Sequence, residues 1–386
     1  MNVKINKNKY YKILKQLQTF KEKDFTFSSG RILGSMCTQP HPIAKKAYIE
    51  FLETNLGDPE LFPGTRKIEL KYISFISNLL NAPKAASGLI GSGGSESNIT
   101  AIWIAKKLSG KKEIIAPISA HFSFEKISSI MDIKLTYIPL NKDYTMDIKT
   151  LKKKINNNTA AVIGLAGSTE LGTIDQIYEI SQICNDQNIF LHIDAAFGGF
   201  VIPFLKKLGY KVNDFDFKIK GVDSISIDAH KMGYSAIPLG ALIIRNKKWL
   251  NEISVETPYI SIKRQAGILA TRSGGSVAAA YAVAKYLGKE GYKNLVKKCM
   301  SNTRYMEKKI NDLGLSFVIK PTMNVLGIKI KKPAKLVNKL TYYGWKVNNM
   351  ERLSAIRLVI MPHITKKIVD NFIPDLEKAC KETREI

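Results

Sequence analysis

The chain has 386 residues, 45% of them hydrophobic, and 59 Lys and Arg against 33 Asp and Glu give a formal net charge of +26. That length and apolar content place it among ordinary globular proteins with a large core in two or three units. Its four cysteines, Cys37, Cys184, Cys299 and Cys380, lie far apart with no C-x-x-C pair, which argues against a zinc site or disulfide framework and suits a reducing cytoplasm.

The amino terminus, MNVKINKNKYYKILKQL, is basic and lacks the apolar stretch of a signal peptide, and no later run reaches the roughly 18 apolar residues of a membrane span. A cytoplasmic protein without a membrane partner is expected. Residues 1–60 read as an N-terminal segment. Residues 61–275 read as a large α/β unit with a mostly parallel sheet, because short β-branched runs alternate with stretches of helical period. The predicted strands are Gly88–Gly91, Glu113–Ala116, Leu135–Pro139, Ala161–Ala166, Ile189–Asp194, Ser224–Asp228 and Gly240–Ile244, with helices at Glu96–Leu108 and Ile174–Asp186. Lysine runs such as Lys106-Lys107, Lys111-Lys112 and Lys152-Lys153-Lys154 fall where helices end or turn, the pattern of a solvated face. No basic-aromatic repeat or nucleic-acid motif accompanies them. From Ser276 to about Leu313 a long Ala-, Lys- and Tyr-rich helix is expected to bridge to a smaller α+β unit that completes residues 276–386. Strands at Ser316–Ile319, Val325–Ile330, Trp345–Val347 and Ile356–Ile360 and helices at Ala334–Tyr343 and Thr365–Glu382 make up that unit.

Three segments carry chemistry, each at the end of a predicted strand, where α/β sheets gather ligands. The first, Gly91-Ser92-Gly93-Gly94-Ser95-Glu96-Ser97-Asn98, opens a helix with bare backbone, as an anion site requires. It matches neither G-x-x-x-x-G-K-[ST] nor G-x-G-x-x-G, so a phosphate other than that of a nucleoside triphosphate or dinucleotide is indicated. A plain helix cap by Ser95 is the competing reading. In the second, His192-Ile193-Asp194-Ala195-Ala196-Phe197-Gly198-Gly199, an apolar run ends in an aspartate that needs a cationic partner if buried, or simply caps the next turn. The third, Asp228-Ala229-His230-Lys231-Met232-Gly233, puts Lys231 at the strand end. A lysine that attacks a carbonyl must shed its proton near neutral pH, which burial and a neighbouring cation promote. Alone it reads as a surface charge.

Taken together, GSGGSESN, SAHFSF, GSTELGTID, HIDAAFGG, SIDAHK, TRSGG and IRLVIMP resemble the group II pyridoxal-phosphate-dependent amino-acid decarboxylases, and most closely their archaeal tyrosine/aspartate branch, which supplies tyramine for methanofuran. The likeness extends over CTQPHP and LGDPELFPGT and nearly the whole chain. It implies the fold-type-I α/β architecture, pyridoxal 5'-phosphate bound covalently to Lys231, no metal, and a homodimer with shared active sites. It further implies His121 stacked on the cofactor ring, Ala196 on the other face, Asp194 on the pyridine nitrogen, and Thr169 near the cofactor's phenolic oxygen or Asp194. Gly94, Ser95, Ser224 and His230 would hold the phosphate, with Thr271 reaching it from the neighbouring subunit. Asp228 is left out of the site, since an anion beside a phosphate is unfavourable. Arg357 would grip the substrate α-carboxylate, His41 line the substrate pocket or hold a tight turn, and Tyr259 deliver a proton from a loop. The expected reaction is decarboxylation of an L-amino acid, tyrosine before aspartate or glutamate. Two rival readings stay open: a carbon–carbon lyase of the sphingosine-phosphate type, and a basic nucleic-acid or anionic-surface binding protein.

Overall fold

A computed structural model describes residues 6–258 and 262–386. Seven strands, β1 Ser87–Gly91, β2 Glu113–Pro117, β3 Lys134–Ile138, β4 Thr159–Leu165, β5 Phe190–Asp194, β6 Ser224–Asp228 and β7 Gly240–Ile244, form one sheet in the order β1-β7-β6-β5-β4-β2-β3. The four pairs β2–β3, β2–β4, β4–β5 and β5–β6 are parallel, and β1 shares their direction, while β7 alone runs antiparallel to both its neighbours, β1 and β6. Every residue of β2, β4, β5, β6 and β7 is buried. Helices cover both faces, which is why these strands read as continuous apolar runs instead of alternating ones. Each lies within two residues of its predicted bounds. The topology brings the carboxyl ends of β1, β2, β4, β5 and β6 to one edge, and all three chemical motifs start there.

The helix Gly94–Ser109 leaves β1 directly, whereas Ile177–Asp186 starts later than its period suggested. Ile174 still pairs with Ala166, and the neighbouring Asp175 carboxylate accepts the backbone N–H groups of Met146 and Leu165, both at 2.8 Å. That use of Asp175 holds the segment extended for three more residues. The long helix Gly274–Asp312 is capped by Ser273 and broken once, at Gly288, whose φ of 55° only glycine adopts readily.

Two short strands, β8 Val255–Glu256 and β9 Arg264–Gln265, pair as a ribbon. The remaining sheet, β10 Val325–Lys329, β11 Asn348–Met350 and β12 Ala355–Val359, is antiparallel in the order β10-β12-β11 and packs on a second apolar core around Leu336, Trp345 and Phe372. Two predicted strands are corrected here. Ser316–Ile319 contributes only an isolated bridge from Phe317 to Ile328. At Trp345–Val347 the alternation is real, with both ends buried, but the backbone of Lys346 bonds to Arg31, Leu33 and Gly34 of the N-terminal segment, and the strand proper begins at Asn348.

Arg272 ties this framework together. Its guanidinium donates to the buried Glu69 at 2.7 Å, to the Ile90 carbonyl at 3.1 Å and to the Leu56 carbonyl at 3.2 Å, joining the N-terminal segment, a helix and β1. Arg272→Met leaves the buried Glu69 carboxylate with Arg66 as its one remaining guanidinium partner among the described residues and is expected to lower unfolding free energy by about 1–3 kcal/mol. Adding Glu69→Gln should restore more than half of it in urea titration; strictly additive losses would refute the coupling.

Candidate active site

A cavity of about 380 Å³ opens at the carboxyl edge of the sheet. Its floor and walls come from the loops after five strands: Ser92 to Ser95 after β1, Ser119 to Phe122 after β2, Gly167 to Thr169 after β4, Asp194 to Phe197 after β5, and Asp228 to Lys231 after β6. The glycine loop approaches closely because its neighbours lack side chains. A Cβ on Gly240 would fall 2.6 Å from the Gly93 Cα and 2.5 Å from Asp228 Oδ1, and one on Gly94 would meet Ala196 Cβ at 3.0 Å. No side chain caps the helix Gly94–Ser109, and Glu96 instead turns back to accept from Ser92 N–H at 2.7 Å. The capping role considered for Ser95 is therefore not taken up. The helix start keeps free N–H groups at the cavity, the arrangement that suits an anion.

Asp194 ends β5 with donors on both oxygens. Asn98 Nδ2 reaches Oδ2 at 3.0 Å, and the Ala196 N–H and the Ser226 hydroxyl reach Oδ1 at 3.1 and 3.3 Å. An ionised carboxylate is acceptor-only, and this set of three donors matches it. His121 follows β2, its Nδ1 accepting from Ser123 N–H at 3.2 Å and its ring lying 4.1 Å from that of Phe122. Burial pulls its pKa below the ordinary value, so it is a neutral, flat group at pH 7.

Lys231 differs from its expected state. Burial opposes its charge, but no cation among the described residues perturbs it; the Asp228 carboxylate stands 3.0 Å from Nζ, with Asp194 farther off, and together they hold the ammonium above its ordinary value. Asp228, left out of the site on sequence grounds, is thus part of the cavity wall. Its Oδ2 also lies 3.8 Å from His230 Nε2, while His230 Nδ1 bonds the Leu239 carbonyl at 2.7 Å.

Four predicted residues stand away from the wall. Ser224 lies at the opposite end of β6, where its hydroxyl meets His192 Nδ1 at 2.8 Å, so it cannot serve a phosphate at the carboxyl edge. His41 caps the helix Pro42–Glu50, accepting from Ile43 N–H at 3.2 Å, with its ring against Tyr234 and Tyr286, which favours the turn over the pocket. Thr271 is exposed and does not line this chain's cavity. Arg357 on β12 donates to the Thr169 carbonyl, to the Gly34 carbonyl at 2.8 Å and to Asn348 Oδ1 at 3.1 Å, while its Nε is buried without a partner. Burial pushes its pKa down to about 10 against the pull of Glu170. Tyr259 lies outside the described residues.

The cavity fits a phosphorylated, flat aldehyde. Free helix-start N–H groups suit a phosphate, Ala196 and His121 offer two faces, Asp194 offers an anion, Lys231 an amine, and the buried Ser119 hydroxyl and Asp228 Oδ1 have no hydrogen-bond partner among the described residues. The model of the pyridoxal-dependent decarboxylase conserved domain matches residues 50–329. The chain belongs to that family. It is a pyridoxal-phosphate-dependent amino-acid decarboxylase.

Relatives of this decarboxylase include a probable L-tyrosine/L-aspartate decarboxylase of Methanothermobacter thermautotrophicus, 45% identical over 91% of this chain and 98% of the relative. An L-aspartate/L-glutamate decarboxylase of Pyrococcus horikoshii is 44% identical over 95% and 96%. Among solved structures, a Burkholderia pseudomallei sphingosine-1-phosphate lyase superposes with a TM-score of 0.89 at 24% identity, covering 100% of this chain and 92% of the lyase. A Lactobacillus brevis glutamate decarboxylase gives 0.86 at 22%, covering 97% and 92%. At those identities the two structures share the fold, and the fold-type-I expectation is met.

Sequence reasoning missed Asn98, His192 and Ser119, although all three lay inside quoted motifs; the pairing of Asn98 with His192 between helix and strand, and the burial of the Ser119 hydroxyl, mark them out. Cys37 was passed over as well. Burial raises its thiol pKa while the Lys231 ammonium pulls the other way, which sets it within electrostatic reach of Lys231, and of the four cysteines it alone is only partly buried. Because the thiolate is the reactive form, iodoacetamide labelling of the native protein should fall on Cys37, keep rising through pH 9, and slow by at least about threefold once pyridoxal phosphate is bound. Equal labelling of a second cysteine, or no protection, would contradict this placement.

Proposed function

We propose that this decarboxylase converts L-tyrosine to tyramine and carbon dioxide in the cytoplasm, accepts L-aspartate as a second substrate, and works as a homodimer. The observation that carries the reading is Arg357. Its guanidinium is mostly buried, all its bonds go to neutral oxygens, and no carboxylate lies within 4.0 Å of it among the described residues. A substrate α-carboxylate supplies the missing charge, and Thr169, whose carbonyl Arg357 holds, links that grip to the cavity. The paired substrate name of the relative from Methanothermobacter supports tyrosine and aspartate. The exposed Phe122 ring on the cavity wall favours an aromatic side chain. Provision of tyramine for methanofuran is the metabolic place that this substrate suggests.

Bound pyridoxal phosphate supplies an electron sink for the pair left on Cα when carbon dioxide departs. The protein does the rest. Lys231 would bind the cofactor, Gly94, Ser95 and His230 would hold its phosphate, and His121 and Ala196 would enclose its ring while Asp194 would accept a hydrogen bond from the protonated pyridine nitrogen. Arg357 would hold the substrate carboxylate, and the direction in which it holds that group would select the bond that breaks. Tyr259 returns a proton to Cα.

A second copy is favoured by the helix Lys7–Lys21, which buries nothing of its own and exposes Tyr10, Tyr11, Ile13, Leu14, Leu17 and Phe20. Thr271, exposed and off this chain's cavity, is then free to reach the partner's phosphate. Four free thiols suit the cytoplasm, and no helix among the described residues is long and apolar enough to cross a membrane.

Carbon dioxide release should be fastest with L-tyrosine, slower with L-aspartate and near background with other common L-amino acids; a different leading substrate would replace the proposal. Arg357→Lys should raise KM about tenfold or more with a smaller change in kcat. Borohydride treatment of the holoprotein should fix the cofactor on Lys231 alone. Mixing Lys231→Ala with Thr271→Ala subunits should regenerate one intact site in mixed dimers, and no recovery above either parent would oppose shared sites. Tyr259→Phe should bind tyrosine yet lose at least about tenfold in tyramine formation; an unaltered rate would make it a loop contact.

A further inference from the structure

Beneath the cavity, four side chains from three elements form a single chain of hydrogen bonds. Asn98 on the helix Gly94–Ser109 and His192, Asp194 and Ser224 on β5 and β6 are all at least nine-tenths buried. Ser224 Oγ lies 2.8 Å from His192 Nδ1, His192 Nε2 lies 2.9 Å from Asn98 Oδ1, and Asn98 Nδ2 lies 3.0 Å from Asp194 Oδ2 and 3.2 Å from Ser123 Oγ. Only one assignment of hydrogens satisfies every pair. The Asp194 carboxylate accepts only, so Asn98 must turn its NH₂ towards it. Asn98 Oδ1 then faces His192, so Nε2 must carry the imidazole hydrogen. His192 Nδ1 is left as an acceptor, and the Ser224 hydroxyl must donate to it. Burial drives the His192 pKa down to about 4, so the ring is neutral and has one hydrogen to place.

We propose that Ser224, His192 and Asn98 are positioning residues that fix the Asn98 amide with its N–H on Asp194, and so keep Asp194 an ionised acceptor for the cofactor's pyridine nitrogen. The inference rests on the reading that Asp194 faces that nitrogen. Without Ser224, the imidazole hydrogen can move to Nδ1, which removes the constraint on Asn98. A turned amide would put its carbonyl oxygen against the carboxylate, an unfavourable contact in a dry site. The remaining donors on Asp194, Ala196 N–H and the Ser226 hydroxyl, both serve Oδ1, so among the described residues Asn98 alone donates to Oδ2.

The test compares binding of pyridoxal phosphate with that of its 1-deaza analogue, whose ring carries C–H in place of nitrogen, by equilibrium dialysis against the full-length protein. Asp194→Asn, the reference, should weaken pyridoxal phosphate strongly and the analogue little. Asn98→Leu should weaken pyridoxal phosphate about tenfold to a hundredfold and the analogue by less than about twofold, the scale of a hydrogen bond to a charged group. The nearly isosteric Asn98→Asp, which sets a second carboxylate against the first, should discriminate in the same direction even if Asn98→Leu folds poorly. Ser224→Ala should show about a threefold selective loss, and Ser224→Thr, which keeps the hydroxyl, should regain it. Equal losses for both ligands, or none, in the Asn98 and Ser224 variants would overturn the relay while leaving Asp194 in its role. If Asp194→Asn itself fails to discriminate, the pyridine assignment falls and the relay with it.

Discussion

Asp194 is a carboxylate at the buried end of a central strand, and a charge there is tolerated only where donors and an opposite charge surround it. Several other features answer to that constraint. The helix after β1 must run close enough to bring Asn98 to Oδ2, which requires the glycines at its start. Strand β6 must present serine, not a larger side chain, at position 226 beside Oδ1. Ala196 must follow in a turn tight enough for its own N–H to reach back. The residues that meet Asp194 are therefore the same ones that leave an open face above it, and the cavity is what remains once its acid is satisfied.

A sheet of mixed direction serves the same end. With β7 antiparallel between β1 and β6, the glycine loop after β1 and the Asp228–Lys231 turn after β6 sit one strand apart on the same edge. Gly240 on β7, paired with Gly91 on one side and Asp228 on the other, leaves the gap between them unfilled. The lysine, the helix start and the acid are thereby set by backbone register and do not depend on long side chains reaching inward. Arg357 comes from the other sheet and touches the loop after β4, so the smaller core has a direct mechanical hold on the wall of the cavity.

Much of this was legible in the residues themselves. Buried parallel strands announce themselves as apolar runs, and glycine-rich, Asp-ending and Lys-bearing segments at their ends carry a chemical meaning that does not depend on tertiary detail. The errors have physical sources. Ser224 stands four residues before the end of β6, about 13 Å at strand rise, too far from an edge-bound phosphate; its spacing alone could have excluded it. Trp345–Val347 alternates like a strand because its apolar side chains fill a core, yet its backbone is used by a segment over 300 residues earlier, a pairing no local pattern contains. His41 reads as a ligand by its company, but a histidine before Pro42 at a helix start is equally a cap.

Asp228 shows how a sound local argument can miss a collective one. A carboxylate beside a phosphate is unfavourable as a pair, but the cavity also contains Lys231, and an ammonium 3.0 Å from Asp228 Oδ2 cancels its field there. That balance holds only while the lysine keeps its proton. The next basic group to Asp228 is His230, whose Nε2 is 3.8 Å away and whose Nδ1 is already held by the Leu239 carbonyl. His230 is thus oriented with one nitrogen free towards both Asp228 and the glycine loop. The Asp228 carboxylate is therefore shared by two basic side chains of one turn, Lys231 at 3.0 Å and His230 at 3.8 Å, and its place in the wall is set by both.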